Sequence, residues 1–455
     1  MMACYPEYRI INLPWLKKIP VNWRLIRNKQ FLVEKKDVVG DLSNQYTLLS
    51  LTLRGVIKRD LSKKKGKLPS SFDTYKIISP GDFICCLFDM DETPRTVGLS
   101  EYNGMITGAY TVFSVHDINP DFLYYYYLSL DNKKALKVLY TGLRKTIKTD
   151  TFLAVKLPLP SRNEQDQIVR FLDWKVSEIN KFIAIRRKEI QELRNLKNAI
   201  VSHFVIKGLN KYAEMKYSGV NWLGDVPESW RIVKLRQILH SVSEKNHPEL
   251  PLLSVVREKG VIVRDVDDIE SNHNYIPDDL SNYKVVRENQ FVINKMKSWQ
   301  GSYGVSSYTG IVSPAYFIFD IDFPNLEYFQ YAIRSKSYVN FFAQASDGIR
   351  VGQWDLQMDK MKEIPFLIPP EEEQREIVSA IKRIQPKCDS QIDNIQRGIT
   401  ILHELKNKII SDVVTGKLDV RNITIPEYEH VDDIADEYSE ADNDEEEDES
   451  MMEEE

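Results

Sequence analysis

Two stretches of the chain place apolar residues at alternating spacings of four and three. In residues 172–204 these positions read Leu, Val, Ile, Ile, Arg, Ile, Leu, Lys, Ile and Phe; in residues 381–413 they read Ile, Gln, Cys, Ile, Ile, Ile, Leu, Lys, Ile and Val. Eight of ten positions are apolar in each stretch, and this sustained heptad pattern is typical of a coiled coil. We predict two long helices that pair antiparallel, with Pro386 either kinking the second or marking its late start.

The segments before these helices show the β-branched and aromatic runs of short strands, separated by Gly, Pro, Asn and Asp. The pattern predicts strands at 75–78, 82–88, 109–115, 291–293 and 315–321, and helices with aromatics on one face at 121–140 and 325–345. The four consecutive tyrosines 124–127 admit two interpretations, packing in the core or a stacking platform for bases. We favour the core, because four successive helical residues point in all directions.

Short matches recur in the same order at offsets of 204–209, which indicates a tandem duplication of a unit of about 205 residues. The matching pairs are 15–24 with 222–231, 55–60 with 260–265, 98–113 with 304–319, 160–169 with 369–378, and 196–202 with 405–411. We therefore predict an α+β fold: two tandem mixed, mainly β domains separated by two long helices that form an antiparallel coiled coil, with pseudo-two-fold symmetry. The predicted boundaries are 1–158, 159–212, 213–367, 368–422 and a tail at 423–455.

Charge is distributed unevenly, although the chain as a whole carries only −6. Residues 430–455 hold 15 acidic and no Lys or Arg side chains, residues 1–212 sum to +14, and residues 213–429 sum to −5. A nucleic-acid partner is therefore not excluded for the body of the chain. We expect the tail to be disordered and solvated; a second possibility is that it folds back on the basic half as a phosphate competitor.

Other features exclude several function classes. Four scattered cysteines make no disulfide framework, and Cys85 and Cys86 lie in an apolar run that predicts buried thiols. No signal peptide, membrane span, phosphate-binding loop, adenine-gripping Asp/Asn-Pro-Pro-Tyr/Phe motif or Cys/His metal spacing is present. We expect a soluble, cytoplasmic protein with no catalytic residue, metal or cofactor of its own.

The repeated motifs resemble those of the specificity subunit of Type I restriction–modification systems. They comprise the opening WLGDVPESWRIVKL at 222–235, the helix-start motifs at 160–169 and 369–378, and the helix ends VIKGL at 205–209 and VTGKL at 414–418. A Gly-Leu/Ile-Arg turn precedes each helix, at 142–144 and 348–350. The resemblance covers about residues 15–420. The first opening departs from it, with Lys17-Lys18 where the second has Gly224-Asp225, and the acidic tail lies outside it.

This resemblance implies two target-recognition domains that each read one half of a bipartite site in double-stranded DNA, in a prokaryotic system for phage defence. It also implies a non-catalytic subunit that positions two methyltransferase (modification) subunits and the motor–nuclease restriction subunits. A helical spacer of 33 residues is about 50 Å long, which suits half-sites about one DNA turn apart. A two-headed protein-binding scaffold would show the same architecture and is the alternative; an unrecognised enzyme comes third.

Basic and amide side chains on predicted loops are the candidate DNA contacts, since cations bind phosphates and amides read base edges. In the first domain we predict Arg54, Lys58, Arg59, Lys63, Lys64, Lys65, Lys67, Arg95, Arg144, Lys145 and Lys148. In the second we predict Arg257, Lys259, Arg264, Lys295, Lys297, Trp299, Gln300, Arg350 and Gln353. The loop 294–301 mixes cations, an aromatic and an amide, so it is the better candidate for reading bases.

The motif positions that repeat unchanged are interpreted differently, because a feature common to both domains does not encode two targets. Glu164, Gln165, Glu373 and Gln374 are predicted to bind partner subunits, with a local role at the helix start as the alternative. Trp15, Trp23, Trp222 and Trp230 are predicted to be packing anchors where each domain begins.

Overall fold

The computed structural model describes residues 3–59, 69, 71–141, 145–221, 223–265, 276–277, 279–350 and 353–432, with backbone only at 349, 350 and 353. The described chain divides into two units, which we treat separately. The first unit comprises the described part of 1–187 and residues 396–432, and the second comprises the described part of 188–395. Each unit therefore contains one mainly β domain, part of each long helix, and a core of its own.

In the first unit the β-branched segments form twelve short strands, followed by the first long helix. The elements are β1 (Tyr8–Leu13), β2 (Leu16–Pro20), β3 (Arg24–Arg27), β4 (Leu32–Lys35), β5 (Leu49–Thr52), β6 (Gly55–Lys58), β7 (Lys76–Ile78), β8 (Phe83–Cys85), β9 (Val97–Leu99), β10 (Gly104–Ile106), β11 (Thr111–Val115), α1 (Pro120–Asp131), α2 (Thr149–Ala154), β12 (Lys156–Leu159) and α3 (Arg162–Lys207). The central antiparallel sheet has the order β4-β11-β8-β9, and the pairs β1–β2, β3–β12, β5–β6 and β7–β10 surround it.

The second unit repeats this topology. Its elements are β13 (Met215–Tyr217), β14 (Asp225–Pro227), β15 (Arg231–Lys234), β16 (Leu239–Val242), β17 (Leu253–Val256), β18 (Gly260–Val263), β19 (Lys284–Val286), β20 (Phe291–Asn294), β21 (Tyr303–Val305), β22 (Gly310–Val312), β23 (Tyr316–Ile321), α4 (Leu326–Ile333), α5 (Lys336–Gln344), β24 (Ser346–Arg350), β25 (Gln353–Leu356), α6 (Met358–Lys362), β26 (Pro365–Ile368) and α7 (Glu371–Val414). The central sheet β16-β23-β20-β21 and the pairs β13–β14, β15–β26, β17–β18 and β19–β22 match the first unit; the hairpin β24–β25 has no counterpart among the described strands of that unit.

The long helices pair antiparallel within each unit. In the first unit Ile168 and Leu172 share a core with Val413 and Val414, and Lys406 contacts Asn180 farther along α3. In the second unit Lys197 contacts Asp389, while Val201 and Val205 share a core with Ile377 and Ile381. The predicted α+β fold with paired long helices is confirmed. A late start of α7 at Pro386 is wrong, because the helix begins at Glu371 and continues through the proline.

Two shorter helices are interrupted where a single helix was predicted. Residues 121–140 form α1 and then a 3₁₀ turn at Ala135–Leu139, with Lys134 at φ +49° between them. Residues 325–345 form α4 and α5, separated at Arg334 and Ser335. The tyrosines belong to the core as predicted: Tyr126 and Tyr127 are fully buried. Cys85 and Cys86 are buried free thiols, also as predicted.

The start of the predicted tail is held against α3. Gln167 Nε2 donates to the carbonyl oxygens of Val420 and Ile423 at 3.0 and 2.8 Å, and Asn180 Nδ2 donates to Val431 O at 3.0 Å. Side chains of α3 thus bond to backbone groups of Ile423, Glu429 and Val431, so residues 423–432 are not a free tail. Residues 433–455, with 14 of the acidic side chains, lie outside the described residues.

Candidate nucleic-acid interface

Equivalent hairpins in the two units share cations at two positions, Arg54 with Lys259 and Arg59 with Arg264. In β5–β6 the two-residue turn contains Arg54, and Lys58 at the end of β6 lies 4.8 Å from the centre of the Tyr102 ring. In β17–β18 the turn contains Arg257 and Lys259, both exposed. Arg59 and Arg264 follow the second strand of each hairpin; their amides bond to Leu48 O at 2.9 Å and Leu252 O at 2.8 Å. The structure therefore brings each of these two predicted sets together.

The β17–β18 turn is held by an arginine from the end of α4. Arg334 Nη2 donates to Arg257 O and to Glu258 O, both at 2.8 Å. A side chain on Gly260, at φ +75°, would lie 2.1 Å from Arg334 Nη1, so this glycine is required for the close approach. The turn with its two cations is therefore fixed in position before any ligand binds.

The loop between β20 and β21 is also preorganised. Asn294 is buried, and its Oδ1 accepts from the amides of Met296 and Lys297 at 3.0 and 3.2 Å. Lys295 forms an ion pair with Asp355 at 2.9 Å, and the Trp299 ring lies 5.4 Å from the Trp354 ring. The loop is thus bound to the hairpin β24–β25, whose backbone includes the predicted residues Arg350 and Gln353.

The same loop has the opposite charge in the first unit. Between β8 and β9 it contains Asp89, Asp91 and Glu92, and Lys145 forms ion pairs with Asp91 at 3.4 Å and with Glu92. The Tyr140 hydroxyl donates to Asp91 at 2.8 Å and, with Lys145, lowers the pKa of that carboxyl. Equivalent positions therefore present different chemistry, as two domains that read unlike half-sites would require.

Some predicted contacts are engaged inside the fold instead. Arg95 donates to Asp131 at 3.0 Å and to Asn132 at 2.9 Å, and its side chain is 13 % exposed. The buried Asp131 carboxylate thus holds this cation within the fold, and a role of Arg95 at the DNA stays a prediction. Gln300 and Trp299 are only half-exposed, and Lys148 is exposed beside α2. Lys63, Lys64, Lys65, Lys67 and Arg144 lie outside the described residues, as do the side chains of Arg350 and Gln353.

Three of the four residues predicted to bind partners are buried within their units. Glu164, Gln165 and Gln374 are between 3 and 6 % exposed, and Glu373 is half-exposed, which favours the alternative of a local role at the helix start. Gln165 Nε2 donates to Pro160 O at 3.0 Å, and Gln374 Nε2 donates to Pro369 O at 2.9 Å. Glu373 accepts from Trp230.

A glycine at the end of each long helix lies against a tryptophan of the same unit. Gly416, in the helix end VTGKL, has φ +71°, and a side chain there would lie 2.5 Å from Pro20 Cδ and 3.3 Å from the Trp23 ring. Gly208, in VIKGL, has φ +74°, and its side chain would lie 2.4 Å from Glu373 Oε1 and 3.1 Å from the Trp230 ring. Trp23 and Trp230 are buried as predicted anchors, Trp15 donates to Tyr126 OH at 3.0 Å, and Trp222 lies outside the described residues.

Two repeated lysines were not predicted. Lys76 and Lys284 begin the equivalent strands β7 and β19, and each Nζ donates to a tyrosine carbonyl at 2.6 Å, that of Tyr110 or Tyr316. The signal is in the sequence, since TYKII at 74–78 matches NYKVV at 282–286. This match is only five residues long, and the sequences on either side of it differ between the units.

Within the described residues, no group of His, Cys, Asp or Glu side chains is arranged to hold a metal ion. Nor does any helix there have the length and apolar character needed to cross a membrane.

The chain is similar to known proteins along most of its length. Residues 78–195 match the family model described as the Type I restriction modification DNA specificity domain. The Type I restriction enzyme MjaVIII specificity subunit of Methanocaldococcus jannaschii is 24 % identical over 291 residues, which cover 60 % of this chain and 64 % of that protein. The match thus spans slightly less than two thirds of that relative's length. The resemblance inferred from the motifs is thereby confirmed.

One of two similar solved structures supports the fold. A chain from a study of complex assembly and conformational transition of the type I R-M system superposes with a TM-score of 0.57 at 14 % identity, covering 88 % of this chain and 99 % of that one. The HsdS subunit from Thermoanaerobacter tengcongensis superposes with a TM-score of 0.41 at 16 % identity, covering 88 % and 98 %. At such low identity the first of these likenesses shows the fold alone.

Proposed function

Because residues 78–195 match the Type I restriction modification DNA specificity domain, we propose that this chain is a non-catalytic specificity subunit that recognises a bipartite sequence in double-stranded DNA. Each unit reads one half-site. The chain positions two methyltransferase subunits and the motor–nuclease restriction subunits on that site. It needs no cofactor of its own and transfers no methyl group by itself.

The duplicated cationic hairpin is the observation that carries this proposal. Arg54 and Lys259 precede the matching glycines, and Arg59 and Arg264 follow the matching strands, so the two hairpins share two cationic positions. Lys58 and Arg257 are further cations that have no cationic counterpart in the other hairpin. Cations presented on a rigid two-stranded support suit the phosphate backbone, and a β-ribbon fits the major groove. The loops of opposite charge beside them supply the differences that two half-sites need.

A salt titration of duplex binding tests the proposal with the methyltransferase partner present. DNA affinity should fall steeply with salt, with a log–log slope of about −0.9 for each phosphate contact. A flat response, or no DNA binding, would instead favour a two-headed protein-binding scaffold. Sequencing of methylated adenines with and without this chain should reveal a bipartite motif only in its presence.

An exchange of domains tests the assignment of one half-site to each unit. Replacing residues 15–155 by the corresponding segment of another specificity subunit should change one half of the methylated motif and leave the other half intact. A change in both halves would contradict independent reading.

A further inference from the structure

Lys284 is a half-buried cation held in place by a backbone carbonyl. Its Nζ donates to Tyr316 O at 2.6 Å, and the ammonium lies 5.7 Å from the centre of the Phe317 ring. Neither contact supplies a negative charge. An ammonium group has three donors, so an anion can add to these contacts without breaking them.

Two further lysines flank this position. The amide of Val285 bonds to Glu244 O at 2.8 Å, which places Lys245 beside Lys284. The amide of Lys295 bonds to Ala315 O at 3.2 Å, one residue before the carbonyl that Lys284 binds. Burial lowers the pKa of Lys284, and the charges of Lys245 and Lys295 lower it further. Lys245 and Lys295 are therefore close enough to Lys284 for their charges to repel its ammonium group.

The neighbouring carboxylates do not cancel this positive charge. Glu244 is held by Arg287, whose Nη2 lies 2.8 and 2.9 Å from its two oxygens, and it also contacts His247 at 3.3 Å. Asp355 is paired with Lys295 at 2.9 Å. Both acids are thus matched by one cation each, and the charges of Lys245 and Lys284 remain in excess.

The first unit contains the same scaffold without the cluster. Lys76 makes the matching carbonyl bond, and the amide of Ile77 bonds to Asp37 O at 3.0 Å as that of Val285 does to Glu244 O. At the two flanking positions, however, the chain has Val38 and Leu87 instead of lysines. The carbonyl bond is therefore the structural feature common to both units. In the first unit the cation near Lys76 is Lys36, which is paired with Glu34 at 3.7 Å, so the set of three lysines belongs to the second unit.

We propose that Lys245, Lys284 and Lys295 form an anion site that binds a backbone phosphate of duplex DNA at the second unit. This inference rests on the proposed function and adds a contact to it. It also revises the expectation from net charge. Residues 213–429 sum to −5, which suggests that this half depends on partner subunits for phosphate binding, but the cluster gives it a phosphate contact of its own.

The test compares three variants of the full chain, in complex with its methyltransferase partner, by duplex binding over a range of salt concentrations. Lys245→Gln and Lys284→Gln should each make the log–log slope less steep by up to about 0.9, the value for one phosphate contact. Lys76→Gln is the matched control, because it loses the same carbonyl bond and should keep the wild-type slope. Wild-type slopes for both Lys245→Gln and Lys284→Gln would overturn the site.

Two further comparisons separate the possible causes of failure. Lys245 is exposed, so Lys245→Gln reports on the site even if Lys284→Gln does not fold. If the unchanged complex binds no DNA, the proposed function fails; if it binds and the variants match it, only the site fails. Replacing chloride by inorganic phosphate at constant ionic strength should weaken DNA binding of the wild type more than that of Lys245→Gln, because the free anion competes with DNA for the intact site. Equal weakening of both would count against an anion site at the DNA interface.

Discussion

The indole Nε1 of Trp230 donates a hydrogen bond to the Glu373 carboxylate at 2.8 Å, across 143 residues of sequence. Trp23 makes the same bond to Glu164 at 3.0 Å. In both units the bond joins the start of the domain to the start of a long helix, and a glycine at the end of the other long helix packs on the tryptophan. Three motifs that are far apart in sequence thus form one structural site, twice.

Removing either carboxylate should destabilise its own unit. Glu373→Ala leaves the buried Trp230 donor without its partner, at a cost of about 1–3 kcal/mol. Glu164 also accepts from Tyr5 OH at 2.6 Å. Glu164→Ala therefore leaves two donors without a partner and should lower the free energy of unfolding further than Glu373→Ala does. Urea unfolding measures both, with Glu376→Ala, an exposed position on the same helix as Glu373, as the control. Equal stabilities for Glu376→Ala and Glu373→Ala would contradict this role.

The two helix-end glycines should tolerate no side chain. Gly208→Ala and Gly416→Ala each place Cβ within 2.5 Å of another atom at a positive φ, so we expect a loss of at least about 1 kcal/mol. Gly398→Ala is the control, because a methyl group at this helical position would have no neighbouring atom within 4 Å; it should stabilise α7 by about 0.5–1 kcal/mol. Thermal unfolding distinguishes the two directions.

The periodic spacing of apolar residues predicted much of the fold, because an element that is buried on one face carries apolar residues at its own structural period. The seam residues Ile183 and Ile399 are buried as the heptads require. The site residues were harder, since a contact such as Trp230 with Glu373 depends on how the chain folds back over 143 residues. Arg95 illustrates the limit: a lone arginine in a loop looks available for DNA, and only the fold reveals Asp131 beneath it.

The apolar patterns did not predict local backbone conformation either. The predicted helix 121–140 ends at Asp131, and Lys134 beyond it adopts φ +49°, which prevents the helix from continuing. Its Nζ bonds to Asp131 at 2.8 Å and to Thr93 O at 2.7 Å. These tertiary bonds outweigh a helical preference worth only tenths of a kcal/mol per residue.

Substituting the buried lysine of the helix pair should lower the free energy of unfolding more than substituting its half-exposed counterpart. Lys406 is 6 % exposed and donates to Asn180 Oδ1 at 3.2 Å, whereas Lys197 at the same heptad position pairs with a half-exposed Asp389. Lys406→Met leaves the buried amide oxygen short of a donor and should cost about 1–3 kcal/mol. Lys197→Met should cost less than about 1 kcal/mol. If urea unfolding gave similar losses of unfolding free energy for both variants, the burial of Lys406 would not make its contribution larger than that of Lys197.

Stability of the first unit should depend on pH through Asp173. Burial raises the pKa of this carboxyl, although it accepts a hydrogen bond from Tyr125 OH at 2.8 Å. A raised pKa means that the folded state holds the proton more tightly than the unfolded state, so the ionised group opposes folding above its folded pKa. Asp173→Asn keeps an acceptor for Tyr125 and should raise Tm at pH 7. Below the unfolded pKa of about 3.9, where Asp173 is already neutral, the gain should vanish; a gain that persists there would exclude ionisation as its cause.

Truncation after Asp432 should tighten non-specific DNA binding at low salt. It removes 14 acidic side chains and keeps the segment that bonds to Gln167, Ser177 and Asn180. The loss of this negative charge strengthens the attraction of the remaining chain for phosphate, and the effect should fade as salt shortens the Debye length from about 30 Å at 0.01 M to about 8 Å at 0.15 M. A truncation after Leu418 is the contrasting variant, since it also removes the fully buried Val420 and should lower Tm, whereas truncation after Asp432 should leave Tm unchanged. Unchanged DNA affinity at low salt for the chain ending at Asp432 would show that the acidic segment does not oppose DNA binding.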